Sequence, residues 1–360
     1  MKQDIRKYSP AQLTDWFKQN GEQAFRAKQV HEWLWKKAVR SFGEMSNLAL
    51  NLREKLDTHF AINSLTVATE QRSNDGTVKS SFKLYDGNLV EGVLIPALRT
   101  DEQDRELTGA PRMTACVSSQ VGCSLTCKFC ATGYMDRKRN LDAAEIYDQV
   151  VEINRQAKTI FDAPLTNIVY MGMGEPLLNY KNVLESVDRI TSPDGLGMSP
   201  KRLTISTAGI AKMIKQLGDD QVKTNLALSL HAANDLKRNQ IMPINESNSL
   251  DNLAEALQYF YRKTGTRVTF EYIVFYNFND TLQDAKELYE FTKRVPAKIN
   301  IIEYNPIAEA NFKNTDPQTL DKFAGFLDSR GLTVNIRRSR GKDIDAACGQ
   351  LAGKEKMQIQ

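Results

Sequence analysis

The sequence predicts an α/β protein: an incomplete, TIM-like (β/α)6 parallel barrel, preceded by a smaller helical N-terminal domain and a short β linker. Three observations carry this reading. From Met113 onward, strand-sized apolar runs alternate with amphipathic helical stretches, the pattern of a parallel sheet covered by helices. About six such units fit into the remainder of the 360 residues, fewer than a closed eight-fold barrel requires. The first sixty or so residues instead place their apolar positions at helical spacing.

Ser9-Pro10 opens the first helix, with Ser9 as N-cap and Pro10 at the first helical position. Residues 25–40 carry Phe25, Val30, Trp33, Leu34 and Ala38 at helical spacing, and 47–59 form a third helix. The pattern then shortens to strands at 65–68, 80–85 and 89–95, with Asp86-Gly87 as the hairpin turn between the last two. Residues 97–112 are polar and rich in charge, glycine and proline, and the domain boundary is placed there. Barrel strands are expected at 113–117, 167–171, 203–206, 225–230, 268–275, 299–304 and 332–336. Helices are expected at 143–156, 182–190, 250–263, 282–293 and 317–329. The chain so divides into a helical domain (1–62), a β-hairpin region with a linker loop (63–108), the barrel (109–342) and a C-terminal segment (343–360).

Hydrophobic residues make up 41% and charged residues 26%, ordinary for a soluble globular protein. No apolar run is long enough to span a membrane, and MKQDIRKYSP lacks the apolar core of a signal peptide. A cytoplasmic protein without membrane contact is expected. Five cysteines, three of them in one motif, do not form a secreted disulfide framework. A net charge of +4 is too mild by itself to demand a polyanionic partner.

That motif is Cys123-x3-Cys127-x2-Cys130, directly after the first barrel strand, where parallel barrels carry ligand-binding loops. Three clustered thiolates can hold three irons of a [4Fe-4S] cluster and leave the fourth iron open. S-adenosylmethionine (SAM) can take that open iron through its amino and carboxylate groups before reductive cleavage to a 5'-deoxyadenosyl radical. The spacing is the signature of the radical-SAM superfamily. Soft thiolates also suit zinc, although most zinc sites use four ligands in two pairs.

Polar residues recur at the ends of the other strands. Met171-Gly172-Met173-Gly174-Glu175-Pro176 follows the second. Glycines there admit a ligand close to the backbone, and a carboxylate can grip a cationic amino group; taken alone, the stretch is also an ordinary strand-to-helix turn. Ser206 and Thr207 end the third strand, Ser229-Leu230-His231 the fourth and Asn305-Pro306 the sixth. Together they can line one pocket, while each singly also suits a strand-end cap. His231 in isolation reads as a hydrogen-bonded structural group. Cys116 lies on the first strand, near the motif. Cys348 sits among small residues suited to a loop that presents a thiol, and Arg337, Arg338, Arg340 and Lys342 favour its thiolate if they lie close. Free cysteines are also common as small buried hydrophobes.

On these residues the chain resembles the RlmN/Cfr family of radical-SAM RNA methyltransferases over essentially its whole length, and the adenine carbon-2 branch in particular. The matching stretches are Phe25-Arg26-Ala27-Lys28-Gln29, Cys116-Val117-Ser118-Ser119-Gln120-Val121-Gly122 leading into the motif, Gly174-Glu175, and Ala346-Ala347-Cys348-Gly349-Gln350-Leu351. The resemblance implies a [4Fe-4S] cluster on Cys123, Cys127 and Cys130, and two SAM per turnover. It implies SAM contacts from Gly174, Glu175, Ser206, Ser229, Leu230 through its backbone, His231 and Asn305. Cys348 would take a methyl group by nucleophilic displacement, and the derived carbon radical would add to adenine. Cys116 would then attack the Cys348 sulfur, forming a disulfide and releasing the methylated base. Glu91 would take the ring proton; without the resemblance it reads as a solvated strand glutamate. The implied partners are 23S rRNA at the peptidyl transferase centre, transfer RNA at the adenosine 3' of the anticodon, and an electron donor such as flavodoxin. A monomer is expected. The stretch from Glu91 to Cys116 is longer than in the family, and 99–112 is expected to make an extra surface loop.

Three basic groups suit phosphate contacts: Lys36-Lys37 with Arg40, Arg137-Lys138-Arg139, and Arg337-Arg338-Ser339-Arg340 with Lys342. Each is also compatible with an ordinary solvated face. A target adenosine must leave its stack to reach a buried radical. Three rival readings stay open: the sister branch that methylates carbon 8 of the same adenosine, a zinc-containing RNA-binding protein without radical chemistry, and a radical-SAM enzyme acting on protein or metabolite.

Overall fold

The computed structural model describes residues 2–97 and 111–352. The expected surface loop at 99–112 lies outside the described residues but for its last two positions, and the end of the C-terminal segment also lies outside them. The chain opens with β1 (Gln3–Asp4), α1 (Pro10–Gln19), α2 (Phe25–Trp35) and α3 (Leu50–His59); β2 (Phe60–Ala61) then pairs in parallel with β1. The Ser9 cap is present as a full capping box with Gln12, and Pro10 stands at the first helical position. α2 stops at Trp35, short of Arg40, because Ala38 adopts a φ of 51° that no helix can continue through.

β3 (Thr66–Arg72), β4 (Val78–Lys83) and β5 (Leu89–Ala97) form an antiparallel meander. Asp86-Gly87 makes the turn between the last two, with Gly87 at φ 82°. The meander continues the barrel sheet, since β5 pairs antiparallel with β6 (Arg112–Cys116). Short β7 (Gln120–Val121) and β8 (Arg139–Asn140) flank the cysteine motif. There follow α4 (Ala143–Phe161), β9 (Asn167–Tyr170), α5 (Tyr180–Thr191), β10 (Leu203–Thr207), α6 (Ala211–Asp219) and β11 (Asn225–Ser229). The rest is α7 (Asp235–Ile241), α8 (Leu250–Thr264), β12 (Val268–Ile273), α9 (Leu282–Arg294), β13 (Ala297–Ile302), α10 (Pro317–Asp328) and β14 (Val334–Arg337). β6, β9, β10, β11, β12, β13 and β14 are hydrogen-bonded in that order, all in parallel. The expected six-unit barrel is therefore present and open, with β14 and β3 as the two ends of a ten-stranded sheet. α6 and α7 are additions to the expected helices; at under three turns each, they carry too little periodicity to stand out.

Ladder register sorts the side chains. Partners across a ladder point the same way, and side chains alternate along each strand. One face carries Ile168, Tyr170, Leu203, Ile205, Leu228, Phe270 and Ile299, all buried. The other carries Glu91, Cys116, Ser206, Ser229, Glu271, Asn300 and Arg337. The second face, which mixes these polar groups with apolar residues such as Val169 and Ala227, is the inner face of a curled sheet. Arg337 on β14 is near enough to Cys116 on β6 to favour its thiolate. Six steps of about 4.8 Å would hold them about 29 Å apart in a flat sheet.

The N-terminal domain docks on α4. Arg6, buried beside Asp4, reaches Asp148 at 2.7 Å, and Arg40 reaches Glu152 at 2.7 Å. The Tyr147 hydroxyl donates to the Trp35 carbonyl, and the two rings meet edge-on with centroids 5.2 Å apart.

Candidate active site

The cysteine loop takes a path that glycine makes possible. A Cβ on Gly122, at φ 75°, would lie 2.1 Å from the Asp136 carbonyl oxygen, and one on Gly133 would lie 2.6 Å from that of Cys127. The Lys128 N–H donates to the Ile241 carbonyl at 3.0 Å, fastening the loop to the end of α7. Leu125, Ile241, Met242, Ile273 and Phe275 form an apolar cluster against which Cys123, Cys127 and Phe129 pack. Burial pushes the Cys123 thiol up to about 11 and Cys127 well above its ordinary range; Cys130 adds to both rises, and Cys123 to that of Cys127. Among the described residues, no three His, Cys, Asp or Glu side chains converge closely enough to share a single metal ion. Three soft thiolates in a water-poor loop are the donor set of an iron–sulfur cluster.

The residues expected around SAM come together beside this loop. The Glu175 carboxylate is buried, which raises its pKa, and it accepts from the Leu177 and Ala208 N–H groups at 3.0 and 2.8 Å. Its charge is felt at both Cys123 and Cys127. Gly174 holds φ 95° and backs onto Gln120, whose amide oxygen accepts from the Glu175 N–H at 2.8 Å. Ser206 and Ser229 lie on the inner face, and Leu230 donates its N–H to the Glu271 carbonyl at 3.0 Å. His231 holds φ 54°, and its Nδ1 accepts from the Ile273 N–H at 3.1 Å, so the neutral ring carries its proton on Nε2. Burial, and then Arg238, drive its pKa down to about 3. The Asn305 amide nitrogen donates to the Cys348 carbonyl at 3.1 Å, whereas its buried Oδ1 has no hydrogen-bond partner. An orphaned buried acceptor between Cys348 and the barrel is suited to a donor from a bound ligand, and SAM carries such donors on its amino, ribose and adenine groups.

The two outlying cysteines lie within electrostatic reach of each other at this mouth, and neither forms a disulfide. Cys116 is buried on β6, and its pKa is raised by burial and then by Cys348. Cys348 has solvent-facing surface, yet protein surrounds it closely enough to raise its own pKa; Arg337 opposes that rise, while Glu271 and Cys130 add to it. Its segment is braced on both sides. Ala131 N–H donates to the Gly349 carbonyl at 2.7 Å and the Thr132 hydroxyl to the Leu351 carbonyl at 2.6 Å. Upstream, Asp75 accepts from the Gly341 N–H at 2.8 Å and Asp343 accepts from the Ser73 hydroxyl at 2.6 Å. Glu91 is buried, which overturns its reading as a solvated glutamate. It shares the inner face with Cys116, accepts from the Ala352 N–H at 2.8 Å and pairs with buried Lys79 at 3.6 Å.

The basic groups are partly neutralised. Arg139 grips Glu145 and Asp86 at 2.7 and 2.6 Å, and Glu303 takes Arg338 at 2.9 Å and Lys342 at 2.6 Å. Among the described residues, Arg137 donates to the neutral Asn140 side chain, at 3.0 Å. Lys37 and Arg40 line a groove with Glu152, Arg155 and Lys158 where the N-terminal domain meets α4. Lys79 and Arg238 are site residues that the sequence reading missed. In sequence, Lys79 is a strand lysine and Arg238 the polar side of a short helix, and no local pattern marks either.

A family model described as the Radical SAM superfamily matches residues 117–292. With an open six-unit barrel and three cysteines on the loop after its first strand, the chain is a radical-SAM enzyme, a class that works with a [4Fe-4S] cluster and SAM. A second model, the ribosomal RNA large subunit methyltransferase N-terminal domain, matches residues 3–62. The probable dual-specificity RNA methyltransferase RlmN of Cytophaga hutchinsonii is 62% identical over 98% of this chain and 94% of its own length. The dual-specificity RNA methyltransferase RlmN of Nautilia profundicola is 40% identical over 92% of this chain and 93% of its own. The crystal structure of a radical SAM methyltransferase from Sphaerobacter thermophilus matches with a TM-score of 0.89 at 35% identity, covering 98% of this chain and 100% of that one. The chain belongs to the RlmN family of radical-SAM RNA methyltransferases. That membership sets aside the reading as a zinc protein without catalysis. No helix among the described residues is long and apolar enough to cross a membrane.

Proposed function

We propose that this enzyme methylates carbon 2 of an adenosine at the peptidyl transferase centre of 23S rRNA, and of the adenosine 3' of the anticodon in transfer RNAs, consuming two SAM per turnover. The observation that carries the reading is that Cys348 lies within electrostatic reach of Cys116 and of cluster ligand Cys130, with buried Glu91 on the same inner face as Cys116. Cluster and SAM, when bound to Cys123, Cys127, Cys130, Gly174, Glu175, Ser206, Ser229, Leu230, His231 and Asn305, supply a methyl group and a 5'-deoxyadenosyl radical.

The chain's own residues do the rest. Cys348 is the nucleophile that accepts the methyl group, and Arg337 favours its thiolate. Loss of a hydrogen atom from that S-methyl group lets its carbon bond to the ring, joining RNA to the chain and leaving one unpaired electron, for which the bound cluster would be the acceptor. Glu91 takes the proton from the ring carbon. Cys116 attacks the Cys348 sulfur, an S–S bond forms as the S–C bond breaks, the released carbon takes up a proton, and the methylated base leaves. Methylation of Cys348 also removes a charge that, after burial, holds Cys116 protonated. His231 stays neutral and offers only its Nε2–H. The enzyme is read as a cytoplasmic monomer reduced by a flavodoxin-type donor.

The test is anaerobic turnover of the reconstituted enzyme with SAM, reductant and ribosomal RNA, followed by mass spectrometry of the nucleosides. 2-Methyladenosine is expected; 8-methyladenosine would assign the chain to the sister chemistry.

A further inference from the structure

Arg238 has no exposed surface. Its Nε donates to the Leu230 carbonyl at 3.0 Å, Nη1 to Asn245 Oδ1 at 2.6 Å, and Nη2 to the Ala208 and Ser229 carbonyls at 2.5 and 3.1 Å. None of these acceptors is a carboxylate. Asp235, on the same helix, acts on Arg238 through space and commits its own oxygen to Asn245 and to the Leu250 N–H. A buried charge satisfied by dipoles alone costs several kcal/mol unless an opposite charge lies near. The carbonyls give Arg238 its orientation but no counter-ion.

Besides Asp235, opposite charge stands on the cysteine loop. α7 carries Arg238, and its last residue, Ile241, accepts the Lys128 N–H at 3.0 Å. Ile241 and Cys127 share one apolar cluster. Arg238 and Cys127 lie within electrostatic reach of each other, and the guanidinium favours the thiolate. A guanidinium keeps its proton throughout the neutral range, so the charge persists there.

We infer that Arg238 is the fixed counter-charge of the iron–sulfur cluster, a positioning residue that favours the cluster's reduced state. A cluster held by three thiolates becomes more negative when it accepts an electron. A cation locked beside one ligand, in a medium of low dielectric, stabilises that added charge and raises the reduction potential. The same guanidinium ties the ends of β10 and β11 together, so the charge cannot swing away from the cluster.

The test is an EPR-monitored redox titration of the full-length reconstituted enzyme, without substrate, beside far-UV circular dichroism of the apo chain. Two neutral replacements, Arg238→Gln and Arg238→Met, guard against a misfit of either, and Arg238→Lys keeps the charge while losing the fork. Both neutral variants are expected to lower the reduced-to-oxidised ratio at a given potential about tenfold, which is about 59 mV for one electron. Arg238→Lys is expected to stay near the wild-type potential even if its melting temperature falls. Equal shifts in the neutral and charged variants, or no shift in any folded variant, would overturn the inference. So would unfolding of both neutral apo chains, which would leave the residue a structural role alone.

Discussion

The Lys79 ammonium lies 3.6 Å from Oε1 of Glu91, with the two side chains 6% and 5% exposed. The lysine also donates to the Asp345 carbonyl at 3.3 Å, and Oε2 of Glu91 accepts from the Ala352 N–H. The pair therefore grips the Cys348 segment on both sides. Removing one partner of a buried pair strands the other. Lys79→Met is expected to cost about 3 kcal/mol in urea unfolding, and Lys79→Met with Glu91→Leu is expected to recover most of it. A double variant no more stable than the single would show that the loss has another source.

The two-cysteine scheme separates the variants by the stage at which they stop. Cys348→Ala is expected to abolish both methylation of the chain and RNA product, since no nucleophile remains. Cys116→Ala is expected to methylate itself and then to accumulate a covalent RNA adduct, visible as a slow band on a denaturing gel. Multiple turnovers by Cys116→Ala without an adduct would refute the scheme.

His231 gives the fold an acid sensitivity of known sign. Its pKa falls from 6.5 to about 3 on folding, so below about pH 6.5 the unfolded chain takes up a proton that the folded chain refuses until about pH 3. Stability is therefore full above that range and declines as the pH drops through it. His231→Gln keeps an acceptor for the Ile273 N–H and is expected to lose less stability between pH 7 and pH 5 than the wild type. Equal losses in paired urea titrations would count against this.

Gly122→Ala adds both left-handed strain and a carbonyl at 2.1 Å, whereas Gly331→Ala adds the strain alone, with nothing within 4 Å. The first is expected to lower bound iron severalfold after reconstitution, and the second to leave it unchanged. Matching iron contents would mean that the loop does not need the Gly122 path.

Arg137 and Arg139 are neighbours with different duties. Arg139 is committed to Glu145 and Asp86, so Arg139→Ala is expected to lower the melting temperature more than RNA affinity. Arg137→Ala is expected to weaken RNA binding and to reduce its salt slope by about one. Unchanged slopes in filter binding across a salt series would remove Arg137 from the RNA contact.

The parts of the site legible in the sequence are those written in local pattern. The cysteine spacing, the Gly174-Glu175 turn and the strand–helix alternation each occupy a few adjacent residues. Lys79 and Glu91 were illegible as buried groups because what covers them comes from far along the chain: Lys79 meets Asp345 266 positions away, and Glu91 meets Ala352 261 positions away. Arg238 was hidden for a related reason. Its acceptors are backbone carbonyls at two strand ends, which no side-chain pattern announces. The polar inner face was obscured because short strands leave only two or three inward positions each.

The brace between Thr132 and Leu351 joins residues 219 positions apart. A chain emerging from the ribosome thus completes its three-cysteine loop long before the segment that closes over it exists. The brace can therefore form only after the barrel strands that lie between its two ends have been made.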